Sequence, residues 1–166
     1  MHAYAQPPHF LSLNHNTMFI MSYQEKNIPV LPEATDAFGW LNWRLYNRYC
    51  EKGEAGLMEN LGFPPMYFFK KYKISFPRRH ADFEYFSPVS PENLIDLKVE
   101  IMRVGTTSIT LSYHFYKKSR EQRKQILAGK AEVTIVAYDH RILQKTELPV
   151  ELVKSIKRIR PEAFSN

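Results

Sequence analysis

The clearest pattern of hydrophobic and polar residues lies in the second half of the chain. Residues 93–104, "NLIDLKVEIMRV", place apolar side chains on one face from Ile95 to Ile101 and charged side chains on the other. This two-residue period is typical of a half-buried strand. The pattern returns in "TSITLSYHFY" (107–116) and "ILAGKAEVTIVAYD" (126–139). Short turns between three long strands predict an antiparallel meander.

A helical period replaces this alternation nearer the N-terminus. From Asn42 to about Leu61, one apolar stripe recurs at helical spacing. Asn42 is a good N-cap residue, and "LGFPP" ends the segment with Gly62 and two prolines. Two internal glycines each lower intrinsic helix stability by about 1 kcal/mol, which predicts close approach of other backbone to an enclosed helix. The stripe and these glycines comprise Tyr46, Tyr49, Cys50, Gly53, Gly56, Leu57 and Leu61.

The remaining segments complete an α+β domain in which a curved sheet wraps one long helix. Pro29 and Pro32 would remove ladder donors, so the first strand should lie at a sheet edge or be bulged. Such a sheet leaves an edge that is most simply covered by dimerisation. We assign an N-terminal irregular extension (1–24), a single domain (25–160) and a C-terminal tail (161–166). Within the domain we place the first strand at 26–35, a further strand at 80–87 and a short amphipathic helix at 149–159.

Composition narrows the possible partners. The 166 residues suit one domain with a proper core. An aromatic share of 14% favours an interface or an apolar ligand site. The formal charge of +6 arises from short basic clusters, which are typical of a solvated surface or of a site for a polyanionic small ligand. No DNA- or RNA-binding motif accompanies the charge, so nucleic acid is not predicted.

Cysteine usage and hydropathy indicate a cytoplasmic protein. Cys50 is the only cysteine and lies in the apolar stripe, which predicts a buried thiol in a reducing compartment. No apolar run approaches the length of a membrane span. The first residues lack the basic region of a signal peptide. The spacing of His2, His9 and His15 matches no metal-ligand template, so no metal site is predicted.

Local motifs in this order resemble the 4-hydroxybenzoyl-CoA thioesterase family of the hotdog fold. "DAFGWLNWRLYNRYCEKGEAGLMENLG" is similar to the family's D-x-x-G segment and long helix. The following stretch carries the E-Y-x-x-P element at Glu84, Tyr85 and Pro88, and "AGKAEVTIVAYD" is similar to the last strand. The resemblance runs from about residue 27 to residue 158.

The resemblance implies an acyl-CoA thioesterase and names its candidate catalytic groups. The aspartate of D-x-x-G, which matches Asp36, would act as nucleophile or as general base for water. The peptide N–H at Trp43, near the start of the long helix, would polarise the thioester carbonyl. A helix N-terminus carries about half a positive charge and unpaired N–H groups, so it suits a developing oxyanion. Glu51, on the helix, is the alternative catalytic carboxylate. Its other interpretation is structural, as a residue that forms a hydrogen bond at the subunit interface.

The resemblance also implies how substrate and subunits are arranged. CoA is part of the substrate, so no cofactor is implied, and the minimum unit would be a homodimer, or a homotetramer, with sites at the subunit interface. Phosphates of CoA would meet basic residues at strand ends. Candidate substrate-binding residues are Gly39, Asn42, Tyr46 and Tyr85, together with Arg103, Lys117, Lys118 or Arg120.

Three other activities of this fold are weighed from the residues. A hydratase would need a His near the helix start, and His80, His114 and His140 lie elsewhere. An acyl-carrier-protein thioester would suit a basic surface equally well. A non-catalytic acyl-CoA-binding protein is the third possibility. It is favoured by Trp40 and Trp43, because many relatives carry His after the glycine or a few residues later.

Overall fold

A computed structural model describes residues 22–119 and 124–164. Its main sheet has five antiparallel strands, which confirms the meander and the α+β class. The long central strands bury apolar residues against the helix, and the polar residues between them range from buried Thr110 and Ser112 to exposed Lys130 and Glu132. The five strands are β1 (Ser22–Pro29), β3 (Arg78–Tyr85), β4 (Asn93–Val104), β5 (Ser108–Ser119) and β6 (Ile126–Val136). Their order across the sheet is β1-β4-β5-β6-β3.

The long helix α1 spans Trp43–Asn60 and packs on the inner face of the sheet. Its buried stripe is the predicted one, with Cys50 only 4% exposed. Burial raises the pKa of the Cys50 thiol to about 12, so this side chain stays neutral. A Cβ at Gly53 would lie 2.6 Å from a methyl group of Val99. The helix is therefore enclosed as predicted, although side chains of β4, rather than backbone, approach this glycine.

A short helix and a second sheet follow α1, and neither was predicted. Helix α2 (Tyr67–Tyr72) lies between two left-handed non-glycine residues, Met66 and Lys73. The second sheet has the order β2-β7-β8, built from β2 (Ile74–Ser75), β7 (Tyr138–Asp139) and β8 (Gln144–Lys145). The predicted C-terminal helix is present as α3, Val150–Ile159.

Segment boundaries differ slightly from those predicted. Strand β1 lies at a sheet edge with a bulge between Glu25 and Ile28, as its prolines suggested, but it begins at Ser22 and ends at Pro29. Pro32–Ala34 forms a 3-10 helix instead of continuing the strand. At the C-terminus, Pro161–Phe164 is also a 3-10 helix and buries Ala163, so the predicted tail packs on the domain. Residues 1–21 of the predicted extension lie outside the described residues.

A buried carboxylate, Asp96, fixes the bulge of β1 to the sheet. It accepts a hydrogen bond of 2.7 Å from the backbone amide of Asn27. Asn27 has a left-handed φ of +61°. The Lys118 ammonium donates to both carboxylate oxygens at 2.9 and 2.7 Å, and the Gln125 side chain donates a further bond. Burial alone would raise the pKa of Asp96, but these donors lower it.

Asp96→Ala should therefore lower the free energy of unfolding by roughly 3–5 kcal/mol, because Lys118 would keep a half-buried charge without its partner. Because the folded pKa of Asp96 is lowered, its contribution is present at neutral pH and is lost as the pH falls through the carboxyl range. Urea unfolding at pH 7 and at acidic pH measures both effects. Exposed Glu92→Ala is the control. Equal stability of the two variants at pH 7 would contradict this account.

Candidate active site

The Asp36 carboxylate closes the loop that leads into α1. Its Oδ1 accepts hydrogen bonds from the amides of Phe38 at 2.9 Å and Trp40 at 3.1 Å. The Asp36 amide donates to the Trp40 carbonyl at 2.7 Å, and Gly39 takes the left-handed φ of +78° that the turn requires. Among the described residues, none donates a hydrogen bond to Oδ2. One oxygen therefore holds the turn, while the other has no hydrogen-bond donor within the part of the chain that the structure describes.

The N-terminus of α1 follows this turn directly. Asn42 is the N-cap residue, and its side chain accepts a hydrogen bond of 3.0 Å from the Arg44 amide, as predicted. Trp43 occupies the first helical position. No hydrogen bond between described residues uses the Trp43 amide, so this donor is available to a ligand. The helix dipole adds a partial positive charge at the same point.

Asp36 and Trp43 line the same cavity, of about 270 Å³, which we call the Asp36 cavity. Its opposite wall is the segment that follows β3, held in place by a 2.7 Å hydrogen bond from the Leu41 amide to the Val89 carbonyl. Tyr85 and Pro88 of the predicted E-Y-x-x-P element lie in this wall. The lining residues are Asp36, Trp40, Leu41, Trp43, Tyr46, Tyr85, Phe86, Ser87, Pro88 and Val89.

Aromatic side chains form the floor and the rim of the Asp36 cavity. Tyr46 is 4% exposed and makes T-shaped contacts with Tyr85 at 5.0 Å and Phe115 at 4.9 Å. Burial raises the pKa of Tyr46 to about 12, so its hydroxyl stays neutral. Trp43, which lines the cavity, is 62% exposed, and Phe38 in the turn before α1 is 82% exposed.

The predicted basic residues lie in different places. Lys117 is beside the Asp36 cavity, where its ammonium donates a 2.6 Å hydrogen bond to the Pro88 carbonyl. Lys118 pairs with Asp96 as described above. Arg103 lies at the other end of β4 from the Asp36 loop. It is nine residues, or about 30 Å, along the strand from Leu94. Leu94 pairs with Pro29, the residue of β1 that leads into that loop. Arg120 lies outside the described residues.

Glu51 lies away from the Asp36 cavity within one chain. It is eight residues along α1 from Trp43, which corresponds to about 12 Å. Glu51 instead lines a second cavity of about 460 Å³ between α1, α2 and β2, which we call the α2 cavity. Beside Glu51, the Glu54 carboxylate forms an ion pair of 2.9 Å with Arg78. The α2 cavity was not predicted; its only sequence signal is the proline and aromatic run "FPPMYFF" at 63–69.

Comparisons with known proteins give the family and the fold. A family model described as the thioesterase-like superfamily matches residues 30–156. A 4-hydroxybenzoyl-CoA thioesterase from Pseudomonas sp. strain CBS-3 superposes with a TM-score of 0.73 at 14% identity, over 81% of this chain and 99% of that chain. The residues of the Asp36 cavity fall within the matched segment.

Two further solved structures share the hotdog fold. A 1,4-dihydroxy-2-naphthoyl-CoA thioesterase from Synechocystis has a TM-score of 0.66 at 15% identity, covering 81% of this chain and 95% of that one. A hypothetical protein from Staphylococcus aureus, in complex with CoA, has a TM-score of 0.71 at 12% identity, covering 88% and 86%. No curated protein matches the chain. None of the described helices is long and apolar enough to cross a membrane.

Proposed function

The chain belongs to the thioesterase-like superfamily, and we propose that it hydrolyses an acyl-CoA thioester to a free acid and CoA, with Asp36 as the catalytic carboxylate. The observation that carries this proposal is the shared cavity of Asp36 and the N-terminus of α1. Within residues 22–119 and 124–164, neither Oδ2 of Asp36 nor the Trp43 peptide N–H has a hydrogen-bond partner, and these are the two groups that thioester cleavage needs.

The thioester carbonyl would accept a hydrogen bond from the Trp43 amide. As charge develops on the carbonyl oxygen, the amide and the helix dipole stabilise it more strongly than they stabilise the ground state. The hydrogen bonds from the Phe38 and Trp40 amides hold Oδ1 of Asp36 in place. Oδ2 would therefore meet the acyl carbon without a change of the Asp36 side-chain rotamer.

Two routes to product use the same groups. As nucleophile, Asp36 would bond to the acyl carbon, the C–S bond would break, and the thiolate would take a proton from solvent. Water would then cleave the resulting anhydride. As general base, Asp36 would take a proton from a water molecule whose oxygen attacks the acyl carbon, and that proton would pass to the departing sulfur.

CoA is proposed as the thiol carrier because its phosphates suit a basic surface. Among the predicted basic residues, Lys117 is best positioned to meet them, because its ammonium bonds to the carbonyl of Pro88, which lines the Asp36 cavity. Arg103 and Lys118 stay predictions; a phosphate contact from Lys118 would compete with its ion pair to Asp96. The structurally similar thioesterases act on CoA esters by their names, which supports CoA over other carriers.

A homodimer formed by strand β3 is proposed as the minimum unit. Within the described residues, β3 pairs with β6 on one side only, and its other edge is open. An eight-residue open edge is a ready surface for a second copy. The exposed rings of Phe38 and Trp43 would be covered by the same association.

The experiment is thiol release from acetyl-, octanoyl-, benzoyl- and 2-naphthoyl-CoA, with octanoyl loaded on acyl carrier protein as a parallel donor. We expect enzyme-dependent CoA release, accompanied by equimolar free acid, from at least one CoA ester. Release from the carrier protein alone would favour the second donor class. Binding of CoA esters by calorimetry without any release would contradict the proposal and favour a non-catalytic acyl-CoA-binding protein, the role that Trp40 and Trp43 suggest.

A further inference from the structure

Carboxylates gather on the face of the main sheet that lies opposite α1. Asp82, Glu132, Ser112 and Glu100 form one row across β3, β6, β5 and β4, because each is the register partner of the next. On β4, β5 and β6 they alternate with buried apolar residues, so they share the other face of the sheet. Together with Glu84, this row lines a cavity of about 290 Å³, which we call the outer cavity.

Two of the four carboxylates in the outer cavity lack an ion pair. Glu84 and Glu100 each pair with a lysine, at 2.6 and 2.9 Å, and Arg160 also approaches Glu100 at 3.5 Å. Asp82 and Glu132 form no ion pair within residues 22–119 and 124–164. They are direct cross-strand partners at a strand spacing of about 4.8 Å, and like charges so placed are destabilising. The ligand-free chain therefore keeps two neighbouring negative charges that repel each other.

A buried hydroxyl beside these charges also lacks a partner. Ser112 is 8% exposed and stands opposite Glu132, and its Oγ makes no hydrogen bond with any described residue. His114 lines the same cavity, and its buried Nδ1 is likewise unpartnered within the described chain. Burial lowers the pKa of His114, so its imidazole is neutral and one ring nitrogen can accept a hydrogen bond. Because buried polar groups are normally paired, these two groups indicate a ligand that supplies hydrogen bonds.

The ligand that fits these groups is an organic dication. No group of three or more His, Cys, Asp or Glu side chains among the described residues is placed to hold a metal ion. A primary ammonium carries three N–H donors, and Asp82, Glu132 and Ser112 supply three acceptors at adjacent register positions. Met102 lines the cavity and is 51% exposed, so methylene groups would find an apolar contact. The cavity has the volume of about ten water molecules, which suits a ligand of about ten non-hydrogen atoms.

From this arrangement we propose that the outer cavity binds a linear alkyl diamine or triamine. One terminal ammonium donates hydrogen bonds to Asp82, Glu132 and Ser112, the methylene stem lies along Met102, and the second positive charge completes the neutralisation of the acidic row. This inference goes beyond the proposed function and does not rest on it, because the outer cavity and the Asp36 cavity share no lining residue.

Isothermal titration calorimetry of the full chain with 1,4-diaminobutane and spermidine, at about 0.15 M salt, tests the site. We expect saturable binding at one site per chain. Butylamine has the same stem and a single ammonium, so it should bind at least about tenfold more weakly. Added magnesium chloride at the same ionic strength should leave the Kd for spermidine unchanged. Equal affinity for butylamine and the diamine, or no saturable binding of either polyamine, would overturn the proposal.

Substitutions in the row test the assigned residues. Asp82→Asn and Glu132→Gln keep the size of the side chain and remove one charge, so each should weaken spermidine binding by about tenfold or more. Ser112→Ala removes one hydrogen bond to a charged donor and should weaken binding by about threefold or more. Exposed Glu92→Gln is the matched control, because Glu92 lies eight residues, or about 26 Å, before Glu100. Unchanged affinity in both row variants, or an equal loss in the control, would overturn the site.

Thermal unfolding separates a binding site from a structural role. Without amine, Glu132→Gln should keep or raise the Tm, because it removes the repulsion with Asp82. Ser112→Ala should also keep its Tm, because it removes a buried hydroxyl that has no partner among the described residues. Spermidine should raise the Tm of the wild type in a concentration-dependent way and leave that of Glu132→Gln unchanged. A Tm lowered by Glu132→Gln, with the same spermidine response as the wild type, would assign Glu132 a structural role and contradict the proposal.

A basic side chain from a second copy is the competing occupant of the outer cavity. Sedimentation velocity of the wild type and of Glu132→Gln distinguishes the two occupants, and we expect the same assembly in both, with or without spermidine. A smaller assembly in Glu132→Gln would assign the acidic row to an interface between copies and overturn the small-ligand site. Asp36→Asn should bind spermidine with the affinity of the wild type, so a failure of the thioesterase proposal would leave this result unchanged.

Discussion

Replacing Asp36 by asparagine should lower kcat for acyl-CoA hydrolysis by roughly 10²–10⁴-fold, the range that a positioned carboxylate contributes. The side-chain amide oxygen of asparagine can still accept hydrogen bonds from Phe38 and Trp40, so the turn before α1 should persist. The amide cannot act as base and is a poor nucleophile. KM should change little, because the acyl and CoA contacts lie elsewhere.

The matched control for this prediction is Glu51→Gln. In one chain Glu51 lies about 12 Å from Trp43, and we expect its amide variant to retain kcat within about tenfold. A large loss in Glu51→Gln together with a small loss in Asp36→Asn would contradict the assignment and transfer the catalytic role to Glu51. Steady-state thiol release with the best ester of the panel measures both variants.

Trp43→Pro should lower kcat by about 10²–10³-fold, which is the usual effect of removing one oxyanion donor. Proline is tolerated at the first helical position, because that amide has no partner within the helix. The preceding residue, Asn42, has φ −62° and ψ 128°, a conformation that a following proline allows. The substitution therefore removes the N–H while α1 keeps its start.

Trp43→Ala is the matched control because it removes the exposed indole and keeps the amide. We expect Trp43→Ala to retain kcat within about tenfold, with any change confined to KM. Circular dichroism of both variants checks that α1 is intact. Equal kcat in the proline and alanine variants would show that the Trp43 amide is not the oxyanion donor, and would leave another N–H to be found.

Much of the fold follows from simple periodicity. The central strands alternate because one face of the sheet is buried, and α1 shows a helical stripe because it packs on that face. Such long elements carry enough of this periodicity to be recognised from the sequence. Helix α2 is different, since six residues give too little pattern and its ends at Met66 and Lys73 take left-handed conformations that their side chains disfavour. Tertiary packing of Phe68 determines this segment.

Part of the candidate site was likewise predicted from local sequence, and part was not. Asp36 and Trp43 were named from their motif, and one local turn brings them to the same cavity, whereas Tyr85 reaches that cavity from β3 through tertiary packing. The α2 cavity was not named, because its walls come from α1, α2 and β2, which are joined only by the tertiary fold. Lys118 was named from its charge, but its partner was not predicted. That partner, Asp96, lies 22 residues away on the neighbouring strand.

The most direct test of the central claim is a single-turnover experiment with enzyme in excess over an acyl-CoA that carries a radiolabelled acyl group. Wild type should convert the bound ester to free acid in one exponential phase. Asp36→Asn should bind the same fraction of the ester and leave its acyl group on CoA over the same period. Release of free acid by Asp36→Asn at the wild-type rate constant would contradict the claim that the Asp36 carboxylate cleaves the thioester.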